Sequence, residues 1–144
     1  MTRYLSLAEF WFLAEQVTGV AAATLINASR VDLADSALHA PQAGFGETEF
    51  YPDLHDNATV LACRIAWNHP LPDGNKRAAW ACLVLFIDIN GGSWNDGRPD
   101  PNDAVEAMLA VAAHDVDETW LAGEPRVSRT VICGSPYAAR ALSR

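Results

Sequence analysis

From Ala78 to Ile89 every residue except Asp88 is apolar. The run is about half the ~20 residues that a membrane span needs, and too long for an ordinary strand. It reads as a helix over Asn75–Asn90, apolar on all sides, with Trp80, Leu83, Val84, Leu85, Phe86, Ile87 and Ile89 spread around it. Such a helix has to be wrapped by others. The wrapping helices can be read from their signals. Ser6-Leu7-Ala8-Glu9 is a capping box opening a helix to Val17, with Phe10, Leu13 and Val17 on one face and Gly19 as its stop. A second helix covers Ala21–Ser29, and Asp32 or Asp35 begins a short one through Leu38. Asp53 caps a helix from Leu54 to Trp67. After Asn90-Gly91-Gly92 and a loop over Ser93–Asp100, Asp100 caps a helix opened by Pro101 and running to Ala113. Asp115 caps a last turn to Leu121. The segment between Ala40 and Pro52, punctuated by Pro41, Gly44 and Gly46, is a loop or a short β-hairpin. No other stretch alternates as a strand does, and nothing repeats. The expected fold is an all-α bundle with one buried helix and a small loop or hairpin flap.

At 144 residues, half of them hydrophobic, the chain is long enough for one domain with its own core and is not of disordered composition. The charge is uneven. Residues 1–125 carry all 18 acids but only Arg3, Arg30, Arg64, Lys76, Arg77 and Arg98, a balance of 6 − 18 = −12. That argues against a nucleic-acid-binding face. Residues 123–144 hold four arginines and one acid, Glu124, and are read as a basic tail without assigned chemistry beyond a domain over 1–122. Cys63, Cys82 and Cys133 form no CxxC pair, so reduced thiols are expected. Met1-Thr2-Arg3-Tyr4 lacks the pattern of a signal peptide. The expected location is the cytoplasm, with no membrane attachment.

Immediately before the apolar helix stands His69-Pro70-Leu71-Pro72-Asp73-Gly74-Asn75-Lys76-Arg77. Two prolines bias the chain away from helix, and Asp73-Gly74 is a turn signal, so the next helix begins near Asn75. Its first N–H groups lack partners and favour an anion. Lys76 and Arg77 add two cations at the end where the dipole disfavours them. Lys76 is also the sole lysine; the other nine basic residues are arginine. Each residue has two readings. His69 is a histidine at a helix C-terminus, or a general base. Asp73 is a turn residue, or a Mg²⁺ ligand. Gly74 serves a turn, or lets backbone N–H groups approach a phosphate. Asn75 is a cap, or an anion-hole donor. Lys76 and Arg77 are solvated charges, or phosphate clamps. Spacing alone leaves both sets open. The pattern is not a Walker loop.

The nine residues resemble the signature of the Fic/Doc family, HPFx[D/E]GN[G/K]R, at eight positions, with Leu71 in place of Phe. The Doc-like branch is also resembled at Ser36-Ala37-Leu38, Phe45–Tyr51, Asn68-His69 and Asn90-Gly91, over roughly Tyr4 to Leu121. The resemblance implies a Fic-type helical fold and transfer of part of a nucleotide to a protein hydroxyl. It implies His69 as the base, Asp73 on Mg²⁺, Gly74 and Asn75 in an anion hole, and Arg77 on phosphates. Phe45, Gly46, Glu47, Thr48, Glu49, Phe50 and Tyr51 would form a flap that docks the target; the residues alone also allow that segment simply to pin a loop.

Most family members carry Gly where Lys76 stands, and often a second Arg where this chain has Trp80. They transfer AMP. Both departures resemble the Doc toxins, which phosphorylate translation elongation factor Tu with ATP. Lys76 obstructs a glycine-dependent close approach and supplies charge for a differently placed phosphate. A toxin kinase of a toxin–antitoxin system, using ATP and Mg²⁺ and inhibiting translation, is the first expectation. An AMP transferase and a non-catalytic partner-binding domain are the alternatives. No inhibitory [S/T]xxxE[G/N] helix is present, so the resemblance implies a separate antitoxin of the Phd type.

Overall fold

The computed structural model describes residues 2–45, 47–51, 53–94, 101–124 and 130–132. Seven α-helices occur among them: α1 Leu7–Thr18, α2 Ala22–Ala28, α3 Val31–His39, α4 Leu54–Asn68, α5 Asn75–Ile89, α6 Pro101–Ala112 and α7 Glu118–Gly123. No helix among the described residues is long and apolar enough to cross a membrane.

The apolar run becomes α5, and Ala78, Ala79, Trp80, Cys82, Leu83, Phe86 and Ile87 are buried along it. It packs against α1, α4 and α6. It shares the centre with α4, which is buried at every position from Asn57 to Cys63 and again at Ile65 and Ala66. Two polar residues of α4 bond locally, although Asn57 Oδ1, His55 Nε2 and Arg64 Nε are buried without a partner among the described residues. Asn57 Nδ2 donates to the carbonyls of Tyr51 (2.7 Å) and Asp53 (3.0 Å), and Thr59 Oγ1 donates to that of Asp56 (3.0 Å). Cys63 and Cys82 are free and buried. Burial, with Glu118 and Asp117 nearby, pushes the Cys63 thiol up to about 12, and burial alone raises that of Cys82. Both are inert as nucleophiles at neutral pH. Cys133 lies outside the described residues.

Several helix ends form where their residue types require. Ser6 Oγ accepts from the Glu9 amide (3.2 Å), and the Glu9 carboxylate returns to the Ser6 hydroxyl (3.1 Å) rather than to its amide. Gly19 closes α1 at φ 73°. Asp53 Oδ1 accepts from the His55 amide at 2.7 Å. Ser6→Ala is expected to cost about 1 kcal/mol, measurable by urea denaturation with an unchanged m-value. Two expected caps are corrected. Neither Asp32 nor Asp35 opens α3, which starts at Val31 behind Arg30 with no side-chain cap. Asp117, not Asp115, caps α7, accepting from the Trp120 amide at 3.0 Å. The expected Asp100 cap lies outside the described residues.

The broken segment resolves into a 3₁₀ turn, Ala40–Gln42, and an antiparallel hairpin of β1 (Gly44–Phe45) and β2 (Thr48–Glu49). Gly44 leaves no room for a side chain, since a Cβ there would lie 2.5 Å from the Thr48 carbonyl oxygen. The loop expected from Ser93 onward is corrected in part. Gly92–Trp94 is a strand, β3, paired antiparallel with β4 (Thr130–Ile132). That pairing ties three residues of the basic segment to the body.

Candidate active site at the start of the fifth helix

The chain between α4 and α5 is held by backbone geometry before any side chain acts. His69 ends α4 in the left-handed region (φ 49°, ψ 54°), its amide bonded to the Ile65 carbonyl at 3.3 Å. A non-glycine residue there is uncommon. The positive φ turns the chain sharply and leaves the imidazole exposed. Pro70 is buried, and its carbonyl accepts from the Arg30 amide at 2.8 Å. Asn68 Nδ2 donates to the Leu33 carbonyl at 3.0 Å. Leu71, in the place of the usual Phe, is 4% exposed and sits within the core cluster. The loop is therefore fastened to the α2–α3 junction on one side and plugged into the core on the other.

Gly74 begins α5 at φ 81°. A Cβ at this position would also lie 3.1 Å from Thr18 Cγ2, so the turn brings the motif against the end of α1. No side chain caps α5, unlike α1, α4 and α7. The first backbone bond within the helix start runs from the Ala78 amide to the Gly74 carbonyl at 2.9 Å. The amides of Asn75, Lys76 and Arg77 precede it and are left for another acceptor.

His69, Pro72, Asp73, Gly74, Asn75, Lys76 and Arg77 line one cavity of about 350 Å³. Asp73, Lys76 and Arg77 form no ion pair with any described residue. Two unpaired cations, uncapped amides and the helix dipole together favour a polyanion. The cavity continues to Trp80, 3% exposed, and to Val105 and Met108 of α6. Sequence reasoning had no access to the α6 contribution. At helical spacing Met108 looks like any core residue, and only the packing of α6 on α5 brings it to this wall.

Asn75 takes a place that neither sequence reading foresaw. It is 6% exposed. Its Oδ1 accepts from the Leu71 amide (2.9 Å), and its Nδ2 donates to the Leu71 carbonyl (2.9 Å) and approaches His69 Nδ1 (3.3 Å). The side chain is thus committed to the loop, and only its backbone amide remains for an anion.

Among the described residues of the flap, none lines this cavity. Phe50, 58% exposed, and Tyr51 line a second one of about 360 Å³, with Asp56, Thr59 and Val60 of α4 and Glu118, Thr119 and Ala122 of α7. Burial, then the neighbouring Asp53, raises the Asp56 carboxyl above its usual range. Glu47, Thr48 and Glu49 are exposed, and Gly46 lies outside the described residues.

A dedicated metal cage is absent among the described residues: no three His, Cys, Asp or Glu side chains gather. A single exposed carboxylate, Asp73, beside an anion site suits Mg²⁺, which is commonly held by one or two carboxylates plus substrate phosphates.

Over 92 residues, 64% of this chain and 70% of the relative's, the sequence is 40% identical to "Toxin Doc" of Mycolicibacterium smegmatis (strain ATCC 700084 / mc(2)155). No solved structure matches it. The model of the Fic/DOC family matches residues 5–87, from the segment before α1 through most of α5. That stretch is more than half of the sequence and contains the whole cavity-forming loop, so the chain belongs to the Fic/DOC family.

Proposed function

We propose that this chain is the toxin of a toxin–antitoxin system and acts as a protein kinase, moving the γ-phosphoryl group of ATP to a hydroxyl of a target protein. The observation that carries the reading is the cavity in which an exposed imidazole and carboxylate stand beside two unpaired cations and the uncapped start of α5. Similarity to a Doc toxin supports the biological role.

In this reading Lys76, Arg77 and the first amides of α5 bind the phosphates, and Gly74 keeps the turn open to them. His69 takes the proton of the target hydroxyl. The target oxygen forms a bond to the γ-phosphorus as the bond to the bridging oxygen breaks, and ADP leaves with that electron pair. Asp73 would hold Mg²⁺, whose charge offsets that of the phosphates. Lys76 and Trp80 occupy the positions of the glycine and the second arginine that AMP transfer uses, which is why γ-transfer is preferred. The resemblance points to elongation factor Tu as the target, to inhibition of translation, and to a cytoplasmic setting with a Phd-type antitoxin. The flap Phe45–Tyr51 would dock the target.

The test is a paired transfer assay with Mg²⁺, purified protein and lysate, using ATP labelled at the α- or the γ-phosphate. Label arriving on protein from the γ-position alone is expected. Arrival from the α-position would make the chain an AMP transferase. Transfer from neither would leave a partner-binding domain.

A further inference from the structure

The second cavity is opposite to the first in charge. It lies between α4 and α7 where the chain leaves the hairpin, and two of its lining residues, Thr59 and Val60, are each 1% exposed. Asp56 stands on its α4 side and Glu118 on its α7 side. Neither carboxylate forms an ion pair with any described residue. The basic groups of α4 do not supply the missing charge. The Arg64 guanidinium lies over the Trp67 ring, 5.7 Å from its centroid. Burial lowers the His55 imidazole, against the pull of Asp53 and Asp56, so it is uncharged at neutral pH. Phe50 brings an exposed aromatic ring to the same cavity. A ring face attracts a cation, and its apolar surface suits the alkyl stem of a long basic side chain. Phe50 and Tyr51 also follow β2 directly, and β2 has one unpaired edge in its two-stranded sheet. An extended segment added at that edge carries its side chains towards the cavity.

We propose that this cavity is a specificity pocket for an arginine or lysine side chain of the target protein. The charged head sits between Asp56 and Glu118, and the stem lies against Phe50. The inference rests on the reading that a protein target docks at the flap, but not on which phosphate is transferred. A metal ion fits the same place poorly. No third His, Cys, Asp or Glu gathers with these two among the described residues, and an aromatic wall offers a metal no oxygen. Two carboxylates on separate helices beside a ring match an organic cation on an apolar stem. The motif cavity thus selects a polyanion, and the second cavity selects which protein segment is presented to it.

The first test is an NMR titration of the full chain with N-acetyl-arginine amide and with its citrulline counterpart, which has the same shape without the charge. Arginine is expected to move the amide resonances of Phe50, Tyr51, Thr119 and Ala122 saturably, and citrulline is not. The double variant Asp56→Asn/Glu118→Gln is expected to abolish the response. An equal response to citrulline, a response that survives in the variant, or none at all would overturn the proposal. So would movement of the side-chain resonances of Arg126, Arg129, Arg140 or Arg144 in the variant without any additive, which would give the pocket to the chain's own basic segment. This titration needs no activity, so it still decides the pocket if wild type transfers no label and the kinase reading falls. The second test is the transfer assay at graded lysate concentrations. The double variant is expected to raise KM for the target by about 5- to 30-fold with kcat kept, less than a fully buried pair would give because Asp56 is exposed. Arginine binding with an unchanged KM for the target would overturn the assignment to the target.

Discussion

Replacing His69 by alanine is expected to lower transfer to the target by roughly 10²–10⁴-fold, the range associated with a positioned acid or base. Growth inhibition on expression should disappear with it. The position itself complicates the choice of variant. His69 sits at φ 49°, where alanine is disfavoured, while asparagine tolerates the left-handed region better. His69→Asn should therefore keep the stability of wild type to within about 1 kcal/mol while lacking a group basic enough to take the hydroxyl proton. Comparing the two variants by transfer rate and by urea denaturation separates chemistry from folding. Inhibition of growth that persists in both, with folded protein, would mean that binding rather than transfer is the toxic act.

What the sequence made legible divides along physical lines. The central helix was readable because an unbroken apolar run of that length has few alternatives, and the motif because its turn chemistry and its misplaced cations conflict with a merely structural helix start. The hairpin was half readable: Gly44 marks the crowded position, but two-residue strands carry no period. The shared centre was not readable. The segment that became α4 contains Asn57 and Thr59, which look like surface residues until their bonds to Tyr51, Asp53 and Asp56 are seen. The β3–β4 pair was hidden because Gly92-Ser93-Trp94 is too short to alternate, and its partner lies far along the chain. Asp115 and Asp117 both precede α7, and composition does not say which one turns its carboxylate to the helix. The role of Asn75 was hidden for a different reason. A side chain beside a phosphate site has two plausible masters, and only its bonds to Leu71 show which one holds it.

Replacing both Lys76 and Arg77 by alanine should weaken ATP binding by roughly 10²–10⁴-fold, taking about 1.5–3 kcal/mol for each lost charge-assisted contact. The same change is expected to leave the fold as stable as before, or more stable by up to about 1 kcal/mol. The sign follows from their place on α5. Both occupy the first turn, behind an uncapped Gly74, where the positive end of the dipole repels a cation. Neither has an ion-pair partner among the described residues to compensate, and Arg77 is exposed, so little packing is lost with it. Calorimetric titration with ATP and urea denaturation of the same preparation would measure both quantities. A drop in stability together with binding would mean that these cations serve the fold, and the polyanion site would lose its main support. Affinity lost while stability holds or rises is the opposite pattern, and it is what two charges kept against the local electrostatics for a ligand must produce.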